Sequence, residues 1–157
     1  MTTFNGLPAH VLLVHFIVVL APLTAVLALV CALWPAARRR LVWLVLALAL
    51  ALAVLTPVTT EAGEWLERRS ETSPLLQVHT ELGDTMVYFS IVLVVAAALL
   101  AFVHIQENRG HALKSVAIWV IVAIVTVASL ATTIQVYRIG DSGAKATWAQ
   151  VGNQAAQ

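Results

Sequence analysis

The apolar stretch Val11–Leu33, VLLVHFIVVLAPLTAVLALVCAL, decides the fold of this chain. A helix rises about 1.5 Å per residue, so this stretch is long enough to cross a hydrocarbon layer of about 30 Å. The run is continuous rather than alternating, which favours a membrane helix over a barrel strand. No lysine or arginine precedes Arg38, so the stretch lacks the charged start of a cleaved signal peptide, and we expect a retained helix.

Three more apolar runs follow, and together they predict the architecture. We place the spans at residues 11–34, 41–60, 83–104 and 115–137, followed by a polar tail over 141–157. The composition agrees, since 61% of the residues are hydrophobic, 11% are charged and the mean hydropathy is +0.90. The sequence therefore predicts an all-α fold, an integral membrane four-helix bundle, as a single membrane domain over residues 1–157.

The basic residues predict the orientation of the bundle. The two connections that would share one face carry Arg38, Arg39, Arg40, Arg109 and Lys114. Because positive residues favour the cytoplasmic side, we expect both termini on the outer face. The net charge is only +1 and no basic run resembles a nucleic-acid patch, which excludes nucleic acid as an expected partner. The expected partners are membrane lipids and a partner membrane protein or a second copy of the chain.

Histidines and carboxylates gather near the predicted outer face, which holds seven of the eight acidic residues. Such side chains are costly to hold in lipid, so their gathering on one side indicates a functional site. A neutral imidazole can bind haem iron or a transition metal. The sequence therefore predicts a redox or metal-binding role, with haem b or a transition metal as the cofactor.

Two ligand sets fit this cluster. A haem b would take His15 and His79, with His10 as a further candidate and Gly83 leaving space for the macrocycle. His10 and His15 lie about 140° apart around a helix, so they do not share a face, and His15 is the deeper of the two. A metal ion would recruit residues from a wider set, namely His10, His15, His79, Glu61 and Asp84. No short motif selects between these sets.

Other readings stay open. The outer cluster could instead close the bundle of a non-catalytic accessory or structural subunit that docks a partner complex. A transporter or channel ranks last, because the spans carry few polar residues at mid-depth. No nucleophile motif accompanies the histidines, so we assign no enzymatic activity and leave the question of catalysis open. His104 and His111 lie toward the other face, where we expect exposed loop residues.

Two segments resemble a known family. The opening GLPAHVLLVHF, residues 6–16, and the closing VYRIGDSGAKATW, residues 136–148, are similar to the signatures of domain-of-unknown-function family 2231. The resemblance covers essentially the whole chain. It implies a bacterial four-helix protein of unassigned activity, resident in the cytoplasmic (inner) membrane as a multi-pass protein. His10, His15 and His79 match histidine positions of the family, which implies that they are site residues.

Overall fold

Four long helices make up nearly all of the described structure. The computed structural model describes residues 3–4, 7–69, 73–111 and 113–155, with side chains between 10 and 148. Two two-residue strands, β1 (Thr3–Phe4) and β2 (Leu7–Pro8), pair antiparallel ahead of the first helix. The helices are α1 (Ala9–Leu33), α2 (Pro35–Glu67), α3 (Pro74–Asn108) and α4 (Ser115–Ala155).

The helices extend beyond the apolar runs that predicted them. Pro35 and Pro74 stand at the first turns of α2 and α3, where a missing N–H costs little. Ser73 caps α3, because its side chain accepts a hydrogen bond from the Leu76 amide at 3.2 Å. The polar segments that flank the apolar runs are therefore helical as well. The arginines at 38–40 lie in α2 rather than in a connection, and residues 141–155 of the predicted polar tail continue α4.

The helices form an antiparallel bundle in which α1 and α3 face each other diagonally. Each of these two packs along both α2 and α4, and they touch one another little. Small side chains let the backbones approach closely, as in other membrane bundles. The completely or almost completely buried alanines on the four helices are Ala21, Ala25, Ala28, Ala49, Ala96, Ala97 and Ala128.

The outside of the bundle is apolar along the spans. Phe16, Val54 and Val116 are each about two thirds exposed or more, and each helix is long and apolar enough to cross a membrane. A surface of this kind is stable in lipid and not in water. The predicted four-helix membrane bundle is thus confirmed.

The two ends of the bundle differ in chemistry. We call the end where α1 and α3 begin the histidine end, because it holds His10 and His79. The other end, where α1 and α3 finish, is called the opposite end. Its main polar feature is Arg38, which is only 3% exposed.

The Arg38 side chain is held by an ion pair with a carboxylate and by a hydrogen bond to a backbone carbonyl. Its guanidinium donates to both carboxylate oxygens of Glu107 on α3, at 2.5 and 3.3 Å. It also donates to the Cys31 carbonyl of α1 at 3.0 Å. Arg38 was predicted to mark topology from a connection, whereas its side chain links three helices inside the bundle. A buried guanidinium is stable only with such partners.

We expect Glu107→Gln to destabilise the bundle more than Arg38→Met does. The first change leaves a buried charge without its counter-ion and should lower the free energy of unfolding by about 2 kcal/mol. The second leaves the half-exposed Glu107 to water and should cost about 1 kcal/mol. Thermal unfolding followed by circular dichroism in detergent measures both, with the exposed neighbour changed in Arg39→Met as the control. The opposite order of the two effects would contradict this account.

His104 lies inside the bundle near the same end, which corrects the expectation of an exposed loop residue. It is 7% exposed, its ring meets the Trp43 ring edge-on at 6.2 Å, and its Nε2 accepts from the Asn108 side chain at 3.0 Å. The helix α3 continues past it to residue 108, so the backbone there is not a loop. His111 is exposed and follows the helix, as expected.

Candidate functional site

His10 spans from α1 to the backbone of α2. Its Nδ1 lies 2.9 Å from the carbonyl oxygen of Thr59. Because a carbonyl only accepts, Nδ1 must carry the proton and donate it. The ring packs against Gly63, where a Cβ would come within 2.9 Å of the imidazole Cε1. Only a glycine lets the ring approach α2 this closely.

His79 makes the same contacts from α3 to α4. Its Nδ1 lies 3.1 Å from the Ile139 carbonyl oxygen and 3.1 Å from the Ser142 hydroxyl oxygen. The Ser142 hydroxyl itself donates to the Ile139 carbonyl at 2.9 Å, so it is left to accept from the imidazole. A Cβ at Gly143 would come within 2.9 Å of the His79 Cε1.

The two histidine sites are therefore built alike. In each, a histidine near the start of one helix donates to a carbonyl of the next helix, and a glycine four residues after that carbonyl backs the ring. The hairpin α1–α2 provides one copy and the hairpin α3–α4 the other. Because α1 and α3 are diagonal, the two imidazoles approach the bundle axis from opposite sides.

The chemical consequence is a pair of free imidazole nitrogens. A neutral imidazole that donates through Nδ1 keeps a lone pair on Nε2, which is the form that ligates metals. Within the part of the chain that the structure describes, neither Nε2 has a hydrogen-bond partner. Each imidazole is held in its orientation by the carbonyl of the next helix to which it donates.

Both histidines line one cavity, which we call the histidine cavity. Its empty space is about 840 Å³, part of it open to the surroundings. Most of the wall is apolar and comes from all four helices, with Val14, Ile17 and Met86 among its members. Gly83 also lines it, with no atom within 4 Å of the place where a Cβ would stand.

Carboxylates stand at the polar part of this wall. Glu64, Glu67 and Asp84 line the cavity, and the first and last of them are exposed to solvent. Glu64 is paired with Arg68 on its own helix at 3.5 Å, and Glu67 accepts from Thr80 of α3 at 3.3 Å. The cavity thus has an apolar interior and a solvent-exposed, acidic border.

The other sequence candidates are not part of this arrangement. His15 is exposed, and its Nδ1 donates to the Val11 carbonyl of its own helix. Glu61 is exposed as well, and neither residue lines the histidine cavity. Among the described residues, no three histidine, cysteine or acidic side chains converge as metal ligands. Of the predicted set, the structure brings together His10, His79 and Asp84.

Two residues that matter here were missing from the sequence candidates. Gly63 and Gly143 support the rings, but neither belongs to a motif and a helical glycine has many uses. Ser142 was likewise overlooked. A signal for His10 over His15 was present in the spacing of the apolar residues of α1.

These features define an integral membrane four-helix bundle with a cavity lined by two oriented histidines. Residues 6–155 match the model of a family described as predicted membrane protein, DUF2231, and the chain belongs to that family. The resemblance seen in the two terminal segments is thereby confirmed. Neither the curated proteins nor the solved structures gave a match.

Proposed function

We propose that this protein binds one haem b in the histidine cavity, where His10 and His79 would hold its iron, and that it serves in electron transfer. The observation that carries the proposal is that His10 and His79 line one cavity while the Nδ1 of each lies within hydrogen-bond distance of a backbone carbonyl, which leaves Nε2 as the nitrogen able to bind a metal. Such outer bonds orient ligating imidazoles and raise their basicity. The sequence-based pair was His15 and His79, and the proposal replaces His15 by His10.

The cavity residues fit the group. Val14, Ile17 and Met86 provide an apolar wall for a macrocycle, and the empty Cβ position at Gly83 leaves room beside it. Held by two imidazoles of the chain, a haem would supply one-electron transfer rather than substrate binding. The carboxylates at the border would stabilise the ferric state, because negative charge near the iron favours its oxidised form.

The chain's own residues have defined parts in this function. His10 and His79 would bind the haem iron through Nε2. Their protons stay on Nδ1, because the Thr59 and Ile139 carbonyls can only accept hydrogen bonds. Gly63 and Gly143 set how far each ring stands from its supporting helix. The apolar wall excludes water from the ring faces. Electrons would enter and leave at the open side of the cavity.

We also place the histidine end on the outer side of the bacterial cytoplasmic membrane, with both termini outside. The support is the charge at the opposite end, which includes Arg39, Arg40, Arg109 and Lys114. Basic residues favour the cytoplasmic side.

The test is an absorbance spectrum of the detergent-purified protein, expressed with added iron and haem precursor. We expect a Soret band, sharp α and β bands on reduction with dithionite, and one haem per chain. A colourless protein that retains stoichiometric metal in elemental analysis would overturn haem in favour of a metal ion.

A second function is favoured by the same hydrogen bonds. The imidazoles of His10 and His79 tie α1 to α2 and α3 to α4, which is what a structural clamp in an accessory subunit would do. That subunit would be colourless and metal-free, and it would co-purify with a partner complex. Replacing a clamp histidine would lower the melting temperature without any cofactor being lost.

A further inference from the structure

A second groove lies on the outside of the bundle, between α3 and α4 at the histidine end. One wall is apolar and comes from α3, with Leu75, Val78 and Leu82. The other wall comes from α4 and carries Arg138 and Lys145. The empty space is about 520 Å³ and is widely open. The groove is separate from the histidine cavity and does not depend on haem binding.

The groove carries an excess positive charge. Lys145 is neutralised by Asp141 on its own helix, with Nζ and Oδ2 2.6 Å apart. Arg138 has no hydrogen-bond or ion-pair partner for its guanidinium among the described residues. Arg138, Asp141 and Lys145 are spaced along one face of α4. One cation is therefore available for an anion beside an apolar wall.

The depth of Arg138 points to the lipid headgroup region. The Leu82 carbonyl accepts from Gln135 at 3.1 Å and the Ile139 carbonyl accepts from His79 at 3.1 Å, so Arg138 lies between these two levels, near the histidine end of the spans. Toward the bilayer centre the same side of α4 is apolar and open, with Ile134 58% and Leu130 53% exposed. Tyr137, next to the arginine, is 72% exposed, as interfacial aromatics are.

We propose that this groove binds an anionic phospholipid of the surrounding leaflet. The phosphate pairs with Arg138, and the acyl chains lie along Ile134 and Leu130. The apolar residues of α3 form the other wall of the groove, and Leu82 lies deepest among them. Arginine forms bidentate hydrogen bonds with phosphate, and basic pockets between membrane helices recognise headgroups in this way. The occupant is a lipid rather than a free anion, because the apolar surface continues inward from the cation.

Native mass spectrometry of the purified protein in an uncharged detergent tests this proposal, with phosphatidylglycerol and phosphatidylcholine as the probes. We expect retained phosphatidylglycerol but little phosphatidylcholine. In Arg138→Gln the apparent affinity for phosphatidylglycerol should fall about fivefold. Arg138→Lys should keep most of it. Arg109→Gln, an exposed arginine at the opposite end, is the matched control and should change nothing.

Three results would overturn the proposal. The first is equal retention of the two lipids by the unaltered protein. The second is unchanged binding in Arg138→Gln, or an equal loss in Arg109→Gln. The third is full displacement of the lipid by inorganic phosphate, which would indicate a site for free anions. Circular dichroism of each variant in the same detergent shows whether a loss of lipid reflects a loss of fold.

Discussion

Replacing His10 or His79 by alanine should abolish haem retention, whereas His15→Ala should leave it intact. Each of the first two removes one of the two imidazoles that line the histidine cavity. Losing even an outer hydrogen bond to a ligand costs about 10- to 100-fold in affinity, so losing the ligand itself should cost at least about 100-fold. The measurement is haem content per chain after purification, with the reduced spectrum recorded on the same sample.

His15→Ala and His111→Ala are the matched controls, because both side chains are exposed and neither lines the cavity. Added imidazole should restore the spectrum of His10→Ala or His79→Ala, since it can occupy the vacated position. A structural clamp would not be rescued in this way. Haem lost in His15→Ala but kept in His10→Ala would contradict the structural assignment and return the site to His15 and His79.

Alanine at Gly143 should weaken haem binding while alanine at Gly140, on the same helix, should not. A Cβ at Gly143 would stand 2.9 Å from Cε1 and 3.1 Å from Nδ1 of His79, so the ring must move and its bond to Ile139 must stretch. At Gly140 nothing lies within 4 Å of the new methyl group. We expect Gly143→Ala to lower haem affinity by about 10- to 100-fold, as other losses of ligand orientation do.

Stability separates this effect from simple unfolding. Alanine favours helix over glycine by about 1 kcal/mol, so Gly140→Ala should unfold at the same or a higher temperature. Gly63→Ala should behave like Gly143→Ala, because its Cβ would stand 2.9 Å from Cε1 of His10. Melting temperatures and haem titrations of the three variants check this. Equal haem affinity in all three would show that the rings are not positioned by the glycines.

The sequence predicted the bundle well because a segment that crosses lipid must pair all of its backbone hydrogen-bonding groups within the protein. A long apolar run that starts at Val11 has few structures open to it other than a membrane helix. The helix ends were harder to place. Hydropathy stops at the membrane boundary, whereas backbone hydrogen bonding does not, so α2 includes the arginines at 38–40 and α3 begins at Pro74.

The choice between His10 and His15 was predictable from helical spacing. Steps of four and three from His10 reach Val14, Ile17 and Ala21, and the last two are buried. The histidine at position 10 therefore lies on the side of α1 that faces the bundle, and His15, about 140° around the helix from His10, does not. Depth in the membrane favoured His15, but the direction of the side chain decides whether it reaches the cavity.

The support of the imidazoles was not predictable from this sequence alone. Thr59 and Ile139 act through their carbonyls, which every residue type has, so no side-chain pattern reveals them. Arg38 was misread for a related reason. An arginine close to a span end is usually a topology signal, and only the packing of α1, α2 and α3 brings it to Glu107.

Electron paramagnetic resonance of the oxidised protein, loaded with haem, tests the central claim most directly. Ferric haem iron held by two neutral imidazoles is low-spin, so we predict a low-spin signal that accounts for all of the iron. Because haem retention is lost in His10→Ala and in His79→Ala, that signal should be absent from both variants. A high-spin signal from the unaltered protein, or no haem iron at all, would contradict the assignment of His10 and His79 as the ligand pair.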